Sequence, residues 1–118
     1  MFKYELLKTI VTKYYRLEFN ASSGESISKV IDNHSLETFV SGVEKMLLNK
    51  EDDEFFSFYI DDENYLDVYY NVGTKVLTIE EYNMPVYSDF NYSLSCSVDL
   101  SLDDTLSLIN YIKSILSE

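Results

Sequence analysis

Tyr65-Leu66-Asp67-Val68-Tyr69-Tyr70-Asn71-Val72-Gly73-Thr74-Lys75-Val76-Leu77-Thr78-Ile79-Glu80 is the stretch on which the fold turns. Successive side chains of an extended chain point to opposite faces. Leu66, Val68, Tyr70 and Val72 therefore share one side, and Tyr65, Asp67, Tyr69 and Asn71 the other. Leu77 and Ile79 repeat the alternation against Thr78 and Glu80. Between the two runs, Asn71-Val72-Gly73-Thr74 reads as a hairpin turn in which Gly73 supplies a positive φ. Two half-apolar strands joined this tightly imply an antiparallel sheet with one face on a core and one in water.

The pattern extends on both sides. Upstream, after the acidic turn Glu51-Asp52-Asp53-Glu54, Phe56, Phe58 and Ile60 alternate with Phe55, Ser57, Tyr59 and Asp61. Downstream, Asn83-Met84-Pro85 breaks the ladder, since proline has no N–H to donate. Tyr92, Leu94, Cys96, Val98 and Leu100 then alternate with serines and Asp99, which puts Cys96 on the core side between Leu94 and Val98. Four consecutive strands with short connections form a meander.

Two stretches have helical periodicity. Leu36, Phe39, Val40, Val43, Met46 and Leu47 make one apolar stripe, with Ser35 expected as N-cap. Gly42 lies within that helix and costs about 1 kcal/mol relative to alanine, which close packing on the sheet would explain. Leu102, Leu108, Ile109, Ile112, Ile115 and Leu116 make the second stripe, with Ser101 and Asp104 placed as in a capping box. Residues 2–14 set Phe2, Leu6, Leu7, Ile10, Val11 and Tyr14 at spacings that predict a further helix. Tyr15, Leu17, Phe19 and Ala21 follow as a strand. Residues 27–31 are compatible with another. The expectation is a single α+β domain over residues 1–118, an antiparallel sheet of about four to six strands with two or three helices on one face.

Composition removes several functions. One cysteine excludes an internal disulfide and favours a reducing compartment, so a cytoplasmic location is expected. The first residues are not expected to act as a secretory signal, because Glu5, Lys8 and Lys13 interrupt any apolar run. One histidine, His34, and one cysteine cannot build the usual zinc site. Three glycines, at 24, 42 and 73, provide neither a phosphate loop nor a dinucleotide fingerprint. Asp61, Asp62, Glu63 and Asp67 are oxygen ligands, but their spacing is not that of an EF-hand. No cofactor, no metal and no catalytic residue are expected.

Charge is unevenly placed. The formal net charge is −12. Residues 1–50 hold six acids against seven bases, whereas residues 51–104 hold fourteen acids against Lys75 alone. Without a basic stripe, direct binding to nucleic acid or to an anionic membrane is not expected. A basic protein partner is. Tyr59, Asp61, Asp62, Glu63, Tyr65, Asp67, Tyr69 and Glu80 are the partner-binding candidates: tyrosines for contact area, and carboxylates to steer a cation.

Size, acidity, the α+β pattern and this Tyr/Asp/Glu face together resemble the small acidic immunity proteins of bacterial toxin systems, including contact-dependent inhibition. The resemblance covers the whole chain, assigns no residue roles, and implies a toxin inhibitor acting by protein–protein interaction on a basic nuclease. The alternatives are a phage-type inhibitor or DNA mimic of a nucleic-acid-binding protein, and a small metal-binding or enzymatic domain.

Overall fold

The structure, a computed structural model, describes residues 3–8, 13–20, 26–49, 51–60, 63–83 and 93–117. Chain order is β1 (Lys3–Lys8), β2 (Lys13–Asn20), β3 (Ser26–Asp32), α1 (Asn33–Leu48), β4 (Glu54–Tyr59), β5 (Asn64–Asn71), β6 (Val76–Asn83), β7 (Ser93–Leu100) and α2 (Leu102–Leu116). The fold is α+β with two helices, as expected, but the described strands are divided between two antiparallel sheets, β1-β2-β3 and β4-β5-β6-β7, in place of the single sheet of about four to six strands read from the sequence.

Where the helix expected over residues 2–14 is described, at residues 3–8 and 13–14, the chain is strand instead; residues 2 and 9–12 lie outside the described residues. Lys3–Lys8 pairs antiparallel with β2, Tyr4 opposite Leu17 and Leu6 opposite Tyr15. The apolar spacing is helical, but Tyr4 and Leu6 also alternate with Lys3 and Glu5, and the β-branched run Thr9-Ile10-Val11-Thr12 in the sequence weighs against helix because χ1 freedom is lost there. Packing decides in favour of strand. The Tyr4 ring lies 6.4 Å from Tyr15 and 5.8 Å, edge-on, from Tyr111 of α2. Residues 26–32 form a full strand, with Ile27 and Ile31 buried.

Both helices pack on the inner faces of the sheets. One continuous core joins Tyr15, Leu17 and Phe19 of β2 to Phe39 and Val43 of α1, Leu66 and Val68 of β5, Ile79 of β6, and Leu108 and Ile112 of α2. Each such side chain, fully buried, contributes about 1.5–3 kcal/mol. Tyr15 reaches across this core to donate its hydroxyl to the Ile115 carbonyl at 3.4 Å. Gly42 sits where α1 meets β4. A Cβ there would stand 2.8 Å from the Phe56 ring, so close packing does account for the glycine.

The start of α1 differs in detail from expectation. Asp32, not Ser35, is the N-cap, and its carboxylate accepts the Ser35 N–H at 2.7 Å. The α2 cap matches: the Ser101 hydroxyl accepts the Asp104 N–H at 3.2 Å. In the β5–β6 turn, the positive φ (57°) belongs to Lys75, while Gly73 lies outside the left-handed region. A four-residue loop closed by Lys75 N–H to Asn71 O at 2.8 Å needs its left-handed residue last, which moves the requirement off Gly73.

The two sheets meet at β3 and β7, which lie side by side without a shared ladder. Lys29 of β3 fills the junction. Its ammonium pairs with Glu81 of β6 and donates to the Asn64 side chain of β5 at 3.3 Å. Both charged side chains are about 15% exposed, so this is a largely desolvated clamp between sheets. Cys96 is half-buried here, packed against the core with its thiol 3.4 Å from the Ser26 carbonyl.

Candidate functional site

Register fixes the outer face of β4–β7. One cross-strand row runs Tyr59, Tyr65, Tyr82, Leu94; the next runs Ser57, Asp67, Glu80, Ser97; a third runs Phe55, Tyr69, Thr78, Asp99. The alternation read from sequence holds: Leu66, Val68 and Tyr70 are buried, while Tyr65, Asp67 and Tyr69 turn outward. Leu94 is a correction. A register shift between Glu81 and Tyr82 places it opposite Tyr82, and it is 52% exposed instead of buried beside Cys96.

The outer rings touch in order. Tyr65 stacks on Tyr82 at 5.0 Å and lies 5.3 Å from Tyr59. Phe55 stacks on Tyr69 at 5.5 Å. Such pairs contribute about 0.5–1.5 kcal/mol beyond the area they bury, so the rows also stiffen the sheet. Phe55 and Tyr59 nonetheless remain more than 60% exposed.

Between the aromatic rows, Asp67 and Glu80 stand directly opposite one another. Like charges so placed are destabilising. Neutral donors offset part of this. Ser57 donates to Asp67 Oδ1 at 2.6 Å, Tyr69 to Asp67 Oδ2 at 3.2 Å, and Tyr82 to Glu80 Oε2 at 3.4 Å. Among the described residues no lysine or arginine pairs with either carboxylate. Loss of solvent, then the charges of Asp67 and Glu80, pushes the Tyr69 phenol up to about 12. Loss of solvent, then Glu80 and Asp67, likewise raises that of Tyr82.

Of the residues singled out in the sequence, Tyr59, Tyr65, Asp67, Tyr69 and Glu80 meet on this face. Glu63 is exposed just before β5, and Asp61 and Asp62 lie outside the described residues. Tyr82 was missed, although the alternation Thr78, Glu80, Tyr82 continues through it. Several acids of the segment serve elsewhere. Asp53 accepts the Val72 N–H at 2.8 Å and Glu54 accepts from Asn49 at 2.7 Å, tying α1 and β4 to neighbouring turns. Glu81 faces inward to Lys29. The face is thus more aromatic and less acidic than the composition of residues 51–104 suggests.

Among the described residues no three His, Cys, Asp or Glu side chains are grouped to hold a metal ion. No described helix is long and apolar enough to cross a membrane. No protein-family model matches the chain, and no curated protein does.

Proposed function

We propose that this protein is a cytoplasmic, non-catalytic immunity protein that neutralises a cognate basic toxin of nuclease type. The contact is made by the outer face of β4–β7. One observation carries the reading: two rows of touching aromatic rings flank a carboxylate couple to which no base among the described residues is paired, on a sheet face that leaves Phe55 and Tyr59 exposed. Tyrosine is enriched in interfaces because it is large, rigid and polar at its tip. A nuclease cleft is cationic because its substrate is anionic, so Asp67 and Glu80 suit it in sign.

A DNA mimic fits this face less well. Duplex DNA carries a charge about every 1.7 Å of its axis, which calls for a dense array of carboxylates. The described cross-strand rows of this face hold only three acids, the adjacent couple Asp67 and Glu80 and, one row away, Asp99, among rings and hydroxyls.

An immunity protein should have its toxin encoded immediately upstream. The test is to purify the product of that reading frame and titrate this protein into its nuclease assay. Inhibition complete at one equivalent, together with rescue of cells expressing the toxin, is expected. A folded protein that leaves cleavage untouched at excess would refute the proposal.

A further inference from the structure

Glu81 and Glu80 are neighbours in sequence and opposite in circumstance. The inward Glu81 is matched by Lys29 from the other sheet, whereas among the described residues no base pairs with the outward Glu80 or with Asp67 beside it. The carboxylates are held in place nonetheless. Ser57 and Tyr69 orient Asp67, and Tyr82 orients Glu80, with donors that carry no charge. Cβ atoms of directly opposed strand residues are about 4.5–5.5 Å apart, a separation that one planar cation can bridge. On one side of the couple is Tyr69, stacked on Phe55; on the other are Tyr65 and Tyr82, stacked on each other.

We infer that the centre of this face receives an arginine side chain projecting from the basic partner, its guanidinium bridging Asp67 and Glu80 and flanked by the rings of Tyr69 and Tyr82. The inference deepens the function proposed above and rests on it for the identity of the partner. Guanidinium suits the position better than ammonium for two reasons. Its fork presents several N–H donors in one plane to two carboxylates, and its weakly hydrated face stacks on aromatic rings. A second copy of this chain is the wrong occupant. Packing two such faces together would bring Asp67 and Glu80 against their own counterparts, in a protein of net charge −12.

The experiment uses the whole chain with oligoarginine and oligolysine of equal length, at physiological ionic strength. Binding is followed by calorimetry and by the ring resonances of Tyr69 and Tyr82. Oligoarginine should bind about threefold tighter than oligolysine, the size of an exposed cation–π preference. Asp67→Asn with Glu80→Gln should weaken oligoarginine binding about tenfold, as expected when charged hydrogen bonds are lost. The same substitutions should erase the arginine preference. A control of equal charge change, Glu51→Gln with Asp52→Asn on the exposed turn, should retain the preference. The variant pair removes a repulsion, so it should fold, which circular dichroism checks. Equal binding of the two peptides, or equal weakening by the two variant pairs, would overturn the inference. So would a dimer in light scattering that dissociates on Tyr65→Ala. Failure here with toxin inhibition intact would leave the immunity reading standing without its arginine. Arginine preference without toxin inhibition would remove that reading and keep the site.

Discussion

Replacing Gly42 with alanine sets two opposing effects of known size against each other. In an exposed helix interior the change would stabilise by about 1 kcal/mol, because glycine has more backbone freedom to lose. Here the new methyl would stand 2.8 and 2.9 Å from Cζ and Cε1 of Phe56. Ordinary carbon–carbon contact is about 3.5–4.0 Å, so the ring must retreat by most of an ångström. Phe39 stands 6.3 Å away on its edge and limits that retreat. Overpacking of this kind costs about 1–3 kcal/mol, and the half-exposed position of Phe56 on edge strand β4 places it near the middle of the range. The net expectation for Gly42→Ala is destabilisation by about 1 kcal/mol, seen as a lower urea midpoint with an unchanged slope. The decisive form is a cycle with Phe56→Leu, which removes the two closest ring atoms. In that background Gly42→Ala should stabilise by about 1 kcal/mol, giving a coupling near 2 kcal/mol. A stabilising Gly42→Ala in the wild-type background, or no coupling between the two positions, would refute this account of the α1–β4 contact.

Tyr69, held at about 12, should ionise well after ordinary tyrosines, with Tyr82 also late; Asp67→Asn should bring both down, read from phenolate absorbance against pH. Because the folded-state value of Tyr69 lies above the ordinary 10.0, its contribution to stability is fully present below pH 10 and is lost as pH rises towards 12. A single shared transition near 10 for every tyrosine would contradict the crowding described on the outer face. Lys29→Met strands Glu81 in a site about 14% exposed and should cost about 3 kcal/mol, whereas Lys29→Met with Glu81→Leu should be close to neutral. Equal losses in the single and double variants, by urea titration, would show that the pair does not act as a unit.

The four-stranded sheet was legible because each strand buries one face only, so Leu66, Val68, Leu77 and Ile79 carry a period of two without interruption. Helix α2 was legible for a local reason: Ser101 and Asp104 form the cap within one turn. The N-terminal hairpin was not. Leu6, Leu7, Ile10, Val11 and Tyr14 fall at helical spacing, and Tyr4 is fixed by rings of Tyr15 and Tyr111, the latter remote in sequence. Leu94 was assigned to the core because the shift opposite Glu81 and Tyr82 leaves no mark in the alternation of β7. Of the candidate site, Tyr59, Tyr65, Asp67 and Tyr69 followed from alternation alone, but the pairing of Asp67 with Glu80 depends on register, which the loop from Val72 to Lys75 sets. The clamp between Lys29 and Glu81 joins two sheets, and nothing in either strand announces it.

Side-chain footprinting by hydroxyl radicals, on the protein alone and with the basic toxin proposed as its partner, tests the assignment of the β4–β7 outer face most directly. Phe55, Tyr59, Tyr65, Tyr69 and Tyr82 should lose reactivity together on binding, while Tyr4, 37% exposed on the other sheet, should keep its own. Protection of Tyr4 with unchanged reactivity at Phe55 and Tyr59 would place the contact elsewhere and contradict the assignment of this face.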